Sequence, residues 1–198
     1  MLTTWNADHF FEKIETTVGV DYMLRAREGV PEKGVYIRPH MHLEHEIMWF
    51  REVQGSYSIG SEKFALKNNT LIYVSPLVLH DMELEFTGEH ERFLLQYDNA
   101  VLSRLKYPFP AMRPQVGMVT QLSEQDAARV QFLFRWFTEI HETPHTVSEV
   151  NPVMILLLNT VLQHAMQADT ISAENEGSSS FENIINFIID MEKRTSFN

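Results

Sequence analysis

The chain is 198 residues long with 44% hydrophobic and 22% charged side chains, which suits one soluble globular domain, alone or with an appendage. It contains no cysteine, which excludes a disulfide framework, thiolate metal sites and cysteine nucleophiles and fits a reducing, cytoplasmic setting. A formal net charge of −11, with Lys193-Arg194 the one adjacent basic pair, excludes a nucleic-acid footprint within these residues.

The opening Met1-Leu2-Thr3-Thr4-Trp5-Asn6 has no basic patch and no apolar run, so no signal peptide is expected, and the apolar run 153–158 is too short to cross a bilayer. Val18, Val20, Tyr22 and Leu24 alternate with other residues and predict a half-buried strand. Gly29, Pro31 and Gly34 mark a turn. Further short strands are predicted over 35–42, 46–50, 56–59, 63–66, 71–74, 80–86 and 92–97, with Gly55, Gly60, Asn68-Asn69, Pro76 and Gly88 in the gaps. Many short strands at this spacing predict an all-β barrel or sandwich.

From Ser123 the period changes. Val130, Leu133, Phe134, Phe137 and Ile140 fall at helical spacing, with Ser123 as N-cap and Glu124 and Asp126 in the first turn. Pro144 ends that helix. Asn151-Pro152 predicts a second start, N-cap followed by proline at the first helical position. The helix running on to about 167 is apolar nearly all round, so it is expected to lie between two surfaces, the barrel and a second subunit. Residues 170–180 read as a polar linker, and Phe181, Ile184, Ile185 and Ile188 restart a helical pattern.

One set of residues could carry chemistry. His40 and His42 share a strand face, Glu46 shares their parity if the strand runs on, and His45 points the other way. His80 opens another strand. If that strand lies beside the first, His40, His42, Glu46 and His80 converge inside the barrel and suit one divalent ion, Zn, Ni, Mn or Fe. The alternative is a polar pocket in which the same histidines donate hydrogen bonds to a sugar or an acid. Arg38 has the parity of His40 and could receive a carboxylate or phosphate. Tyr36, Met48, Tyr57, Met82 and Phe86 would form an apolar wall.

These residues resemble a known family. Gly34, His40-x-His42, Glu46 and Gly55 look like the first cupin motif, and the run from Leu66 through Pro76 to His80 looks like the second. The short spacing from Pro76 to His80 is similar to the N-terminal sensor domains of AraC-type transcription regulators. The stretch between Glu46 and Gly55 is longer than the family's, and Asn69 stands where the family has glycine, a turn that asparagine can still make.

The resemblance, from about Gly34 to Met191, implies a mainly β fold with α: a double-stranded β-helix (jelly-roll) barrel followed by two to three helices. It implies a barrel over 1–110, dimerisation helices over 111–169, a linker over 170–180, and over 181–198 the start of a DNA-binding half. The implied function is effector sensing by a homodimeric cytoplasmic regulator. Tyr36, Arg38, His40, His42, Met48, Tyr57, His80 and Met82 would bind a small molecule. Phe132, Trp136, Leu157 and Val161 would face a second subunit, and DNA would be reached only through the missing half. A metal-dependent cupin enzyme, a dioxygenase or isomerase, is the alternative.

Overall fold

A computed structural model describes residues 11–14, 21–88, 90–106, 117–142 and 147–167. Eight short strands follow one another: β1 (Tyr22–Glu28), β2 (Val35–His40), β3 (His45–Arg51), β4 (Gly55–Ile59), β5 (Glu62–Leu66), β6 (Thr70–Val74), β7 (His80–Leu84) and β8 (Glu91–Tyr97). Then come α1 (Asn99–Leu105), β9 (Gly117–Gln121), α2 (Glu124–Glu142) and α3 (Val147–Gln167).

The pairing defines the architecture. β4 pairs with β5, β3 with β6, β2 with β7 and β1 with β8, all antiparallel, as in one long two-stranded ribbon folded upon itself. Folding the ribbon places its strands in two sheets, β1-β8-β3-β6-β9 and β2-β7-β4-β5. That is the jelly roll of a cupin barrel, mainly β with helices appended, in agreement with the expected class.

Period-2 alternation gives the five-stranded sheet two buried faces. Met48, Phe50, Ile72 and Val74 point into the barrel and pack with Tyr57, Ile59, Met82 and Leu84 of the opposing sheet. Ile47, Trp49, Leu71 and Leu95 point the other way, against Phe134 and Phe137 of α2 and Leu157 and Val161 of α3. Both sides of these strands are therefore apolar, and the helical layer belongs to the same body as the barrel.

Local chemistry sets several boundaries. Ser123 caps α2: its Oγ accepts the Asp126 backbone N–H at 3.1 Å and donates to the Asp126 carboxylate at 2.7 Å. Asn69 adopts the left-handed conformation, φ 64°, that its turn requires. Gly55 has φ 143°, and a Cβ there would lie 2.0 Å from the Glu83 carbonyl oxygen, so only glycine allows β4 to approach β7.

Several expectations are corrected. The first strand runs later than predicted, from Tyr22 to Glu28, and Val18 and Val20 lie outside the described residues. β2 stops at His40 after a register shift beyond Ile37, and β7 stops at Leu84, leaving Phe86 exposed. β9, at Gly117–Gln121, pairs antiparallel with β6 on the side away from β3. α1 and β9 escaped prediction because each is short and without marked periodicity. α3 begins at Val147 and carries Pro152 inside it, while the Asn151 side chain accepts from Arg104 instead of capping. The linker and the helix expected over 170–198 lie outside the described residues.

Candidate functional site

Two strand ends and a loop build a polar cluster inside the barrel. His40 closes β2, His80 opens β7 directly opposite it, and Glu46 is the second residue of β3 in the other sheet. His42 sits in the crossing between β2 and β3. His40, His42 and Glu46 do not share the face of one continuous strand, as parity suggested; the chain's passage from one sheet to the other brings them together with His80. His42, Glu46 and His80 are each at most 2% exposed, and His40 is half-buried.

Each histidine has its Nδ1 against a backbone carbonyl: His40 on Arg38 at 2.9 Å, His42 on Glu44 at 2.9 Å and His80 on Val78 at 2.8 Å. A carbonyl only accepts, so each Nδ1 carries a proton, and each ring when neutral turns an Nε2 lone pair away from the backbone. One ring nitrogen from each of the three lies within 4.8 Å of the others. His42 Nε2 is 3.2 Å from Glu46 Oε2, and His80 Nε2, which has no hydrogen-bond partner, is 3.7 Å from the same oxygen.

The carboxylate is held from other directions. Tyr57 donates to Glu46 Oε1 at 2.7 Å and Gln96 Nε2 donates to Oε2 at 2.7 Å. Burial pushes the Glu46 carboxyl up, but its bond to His42 and the charge of His80 hold it well below its usual 4.5. Burial pulls the His80 imidazole down, and the nearby Glu46 more than offsets that, leaving it raised above 6.5. Burial, then Glu46, pushes the Tyr57 phenol well above 10, so it remains a donor.

Imidazole lone pairs converging on an anionic oxygen need a cation between them, either a proton or a metal. The orphaned His80 Nε2 and the fixed Nδ1–H tautomers fit a divalent ion held by His40, His42, Glu46 and His80. Fixing the other ring nitrogen on a carbonyl is what orients a metal-binding imidazole.

Beside the cluster is a cavity of about 190 Å³. Of the residues expected to contact a small molecule, His40, Met48, Tyr57, His80 and Met82 line it, with Glu46 beside them, and His42 is not among its lining residues. Tyr36, 63% exposed and opposite the exposed Glu83, and Arg38, also exposed, do not line it, because the register shift between Ile37 and His40 breaks the parity that linked them to His40; Arg38 contributes its carbonyl. Sequence reasoning missed Gln96, Leu94 and Arg92 of β8, Arg25 and Arg27 of β1, and Glu12, whose carboxylate meets His40 Nε2 at 3.2 Å. The alternation of Arg92, Leu94 and Gln96 was a usable signal once β8 is placed beside β3. His45 packs away from the cavity, its Nδ1 2.8 Å from the Tyr73 hydroxyl and its ring stacked on Tyr97.

No family profile and no curated protein matches the sequence. Solved structures do match. ToxT from Vibrio cholerae strain SCE256, with an unsaturated fatty acid bound, superposes with TM-score 0.52 and 7% identity over 79% of this chain and 59% of its own. ToxT from strain O395, bound to (E)-4-(8-methylnaphthalen-1-yl)but-3-enoic acid, superposes with TM-score 0.54 and 6% identity over 84% of this chain and 66% of its own. The chain shares the fold of ToxT. ToxT is an AraC-family regulator with an N-terminal cupin-like domain, and the ToxT-like region described here spans less than two thirds of that protein. A cupin 2 conserved barrel protein from Salinispora arenicola CNS-205 aligns more loosely, with TM-score 0.35 and 19% identity over 46% of this chain and 76% of its own. At these identities the likeness extends to the fold.

Proposed function

We propose that the chain is the effector-sensing and dimerisation part of an AraC-type transcription regulator, binding a small molecule in the barrel. The observation that carries the reading is a partly open, polar-ended cavity in a barrel whose outer sheet face is committed to a two-helix layer. The fold shared with ToxT, of which one structure holds an unsaturated fatty acid and another (E)-4-(8-methylnaphthalen-1-yl)but-3-enoic acid, supports it. Thermal-shift screening of the 198-residue chain tests it, since a ligand binding only the native state raises its Tm. A specific metabolite is expected to do so, and its addition to a dimer-dependent reporter fusion should change transcription. A panel without a single binder would sink the reading.

DNA contact is assigned to residues beyond those described. The chain alone is expected to retain no labelled promoter specifically at physiological salt, because its net charge is −11 and no basic cluster offsets it. Sequence-specific retention in a gel shift would contradict this. Among the described residues no helix is long and apolar enough to cross a membrane.

The dimer surface is narrower than the sequence suggested. Leu157 and Val161 are 0% and 1% exposed, spent on the chain's own sheet and α2, so a symmetry mate cannot reach them. Phe132 and Trp136 remain 62% and 40% exposed, one turn apart with ring centroids 5.8 Å from each other. We place the two-fold contact there. Trp136→Glu should convert a dimer to a monomer in light scattering at micromolar concentration; a wild type that is already monomeric would refute the placement.

A second reading, a metal-dependent cupin enzyme, is favoured by the histidine and glutamate set itself. An ion held there would act as a Lewis acid on an oxygen-bearing ligand. Conversion of a bound ligand by the metal-loaded chain would select this reading over the first.

A further inference from the structure

Three arginines line the cavity on the side formed by β1 and β8. Arg25 and Arg27 project from β1 with the parity of Met23, and Arg92 from β8 with the parity of Leu94 and Gln96. The register sets Arg25 opposite Leu94 and Arg27 directly opposite Arg92. Like charges facing each other across a strand pair are destabilising unless something neutralises them. Arg92 is half-buried, and burial followed by the charge of Arg27 pulls its pKa down, with Glu46 opposing.

The sequence has 27 acidic against 16 basic residues. Yet among the described residues no carboxylate forms an ion pair with these arginines, and Glu46 acts on Arg92 only through its charge from farther away. The three carboxylates that line the same cavity make their direct contacts with other groups. Glu12 meets His40 at 3.2 Å, Asp81 accepts from Ser58 at 2.9 Å, and Glu46 is held by Tyr57 and Gln96. Among the described residues the Arg92 guanidinium donates to Met82 Sδ at 4.0 Å, a weak acceptor. The remaining wall is apolar, with Ile37, Met48, Met82 and Leu94.

We propose that the cavity takes a small organic carboxylate, its acid group received by Arg27 and Arg92 with Arg25 beside them, its hydrocarbon part against Met48, Met82 and Leu94. The proposal rests on the reading of the barrel as an effector pocket and names the chemical class of the effector. Guanidinium forks match a carboxylate in geometry and charge. The apolar wall selects an organic acid over an inorganic anion, which would leave that wall wet. A cavity of about 190 Å³ restricts the ligand to a short acid.

The test is calorimetric titration of the 198-residue chain with straight-chain acids of two to six carbons, succinate and benzoate. Butanamide and inorganic phosphate serve as the uncharged and the inorganic controls. At least one carboxylate is expected to bind, the amide and phosphate not. Arg27→Gln and Arg92→Gln should each weaken that binding about tenfold or more. Arg27 is exposed, so its variant should fold even if the Arg92 variant does not, and Arg129→Gln on the surface of α2 should bind as wild type. Equal binding of acid and amide, equal binding of phosphate, unchanged affinity in the Arg27 variant, or no binding by any acid would overturn the proposal. Binding of an uncharged metabolite in place of the acids would overturn it while leaving the sensor reading intact. Conversion of a bound acid to a product would keep the acid site and remove the sensor reading.

Discussion

His42→Ala and His80→Ala are each expected to abolish binding of about one divalent ion per chain, with Ni or Zn as the titrant. Loss of a group that merely orients a ligand costs roughly 10–100-fold in metal affinity, so loss of an imidazole itself should exceed that. His40→Ala should weaken binding as well, and because His40 is half-buried this variant is the least disturbing to the fold. Elemental analysis of the purified protein and calorimetric titration of the stripped protein give the stoichiometry and affinity. Wild-type protein that carries no metal and takes up neither Ni, Zn, Mn nor Fe would leave the histidines as hydrogen-bonding groups alone.

The pH dependence separates the loaded from the stripped protein. A metal binds neutral imidazole, and His80 holds its proton to a pH above 6.5 because Glu46 outweighs burial. Metal affinity should therefore climb as pH rises through and beyond 6.5. In the stripped protein the sign reverses for His80: its raised pKa stabilises the fold fully below 6.5, and that contribution is lost as pH rises through the folded value. Glu46, held below 4.5, contributes above 4.5 and loses its contribution as pH falls through its lowered value. The cluster should thus favour the stripped fold most between 4.5 and 6.5. Denaturant midpoints across that range, with and without metal, would show it, and identical profiles would count against a metal at this cluster.

Phe134→Ala should cost about 3–5 kcal/mol of stability. Phe134 is 0% exposed and its ring lies 5.1 Å from that of Phe93 at an interplanar angle of 14°, so it ties α2 to β8. The truncation removes that stacking and leaves a cavity between two rigid layers that cannot close over it. Against the roughly 5–15 kcal/mol that a domain has in total, the helical layer would be close to parting from the barrel. Phe132→Ala, on the same helix but 62% exposed, should change monomer stability by less than about 0.5 kcal/mol. Urea unfolding of both variants decides the matter, and a loss below about 1 kcal/mol for Phe134→Ala would show that the helices are not bound through this contact.

What the sequence determined by itself is local. Alternation located most of the strands, helical spacing located α2 and the body of α3, Ser123 was legible as a cap, and Asn69 as a left-handed turn. The four candidate metal ligands were legible as a motif, and the structure does bring His40, His42, Glu46 and His80 together. Period 2 says which residues share a face; it does not say which strand is the neighbour or where a strand stops. Only the tertiary pairing of β1 with β8 sets Arg27 opposite Arg92, and only the pairing of β8 with β3 sets Gln96 opposite Glu46. Only the register shift between Ile37 and His40 let His40 face in while Tyr36 and Arg38 face out. An all-round apolar helix demands two partners without naming them. The fold supplied the chain's own sheet and α2 to Leu157 and Val161, since apolar burial is non-directional and the nearest covered surface satisfies it.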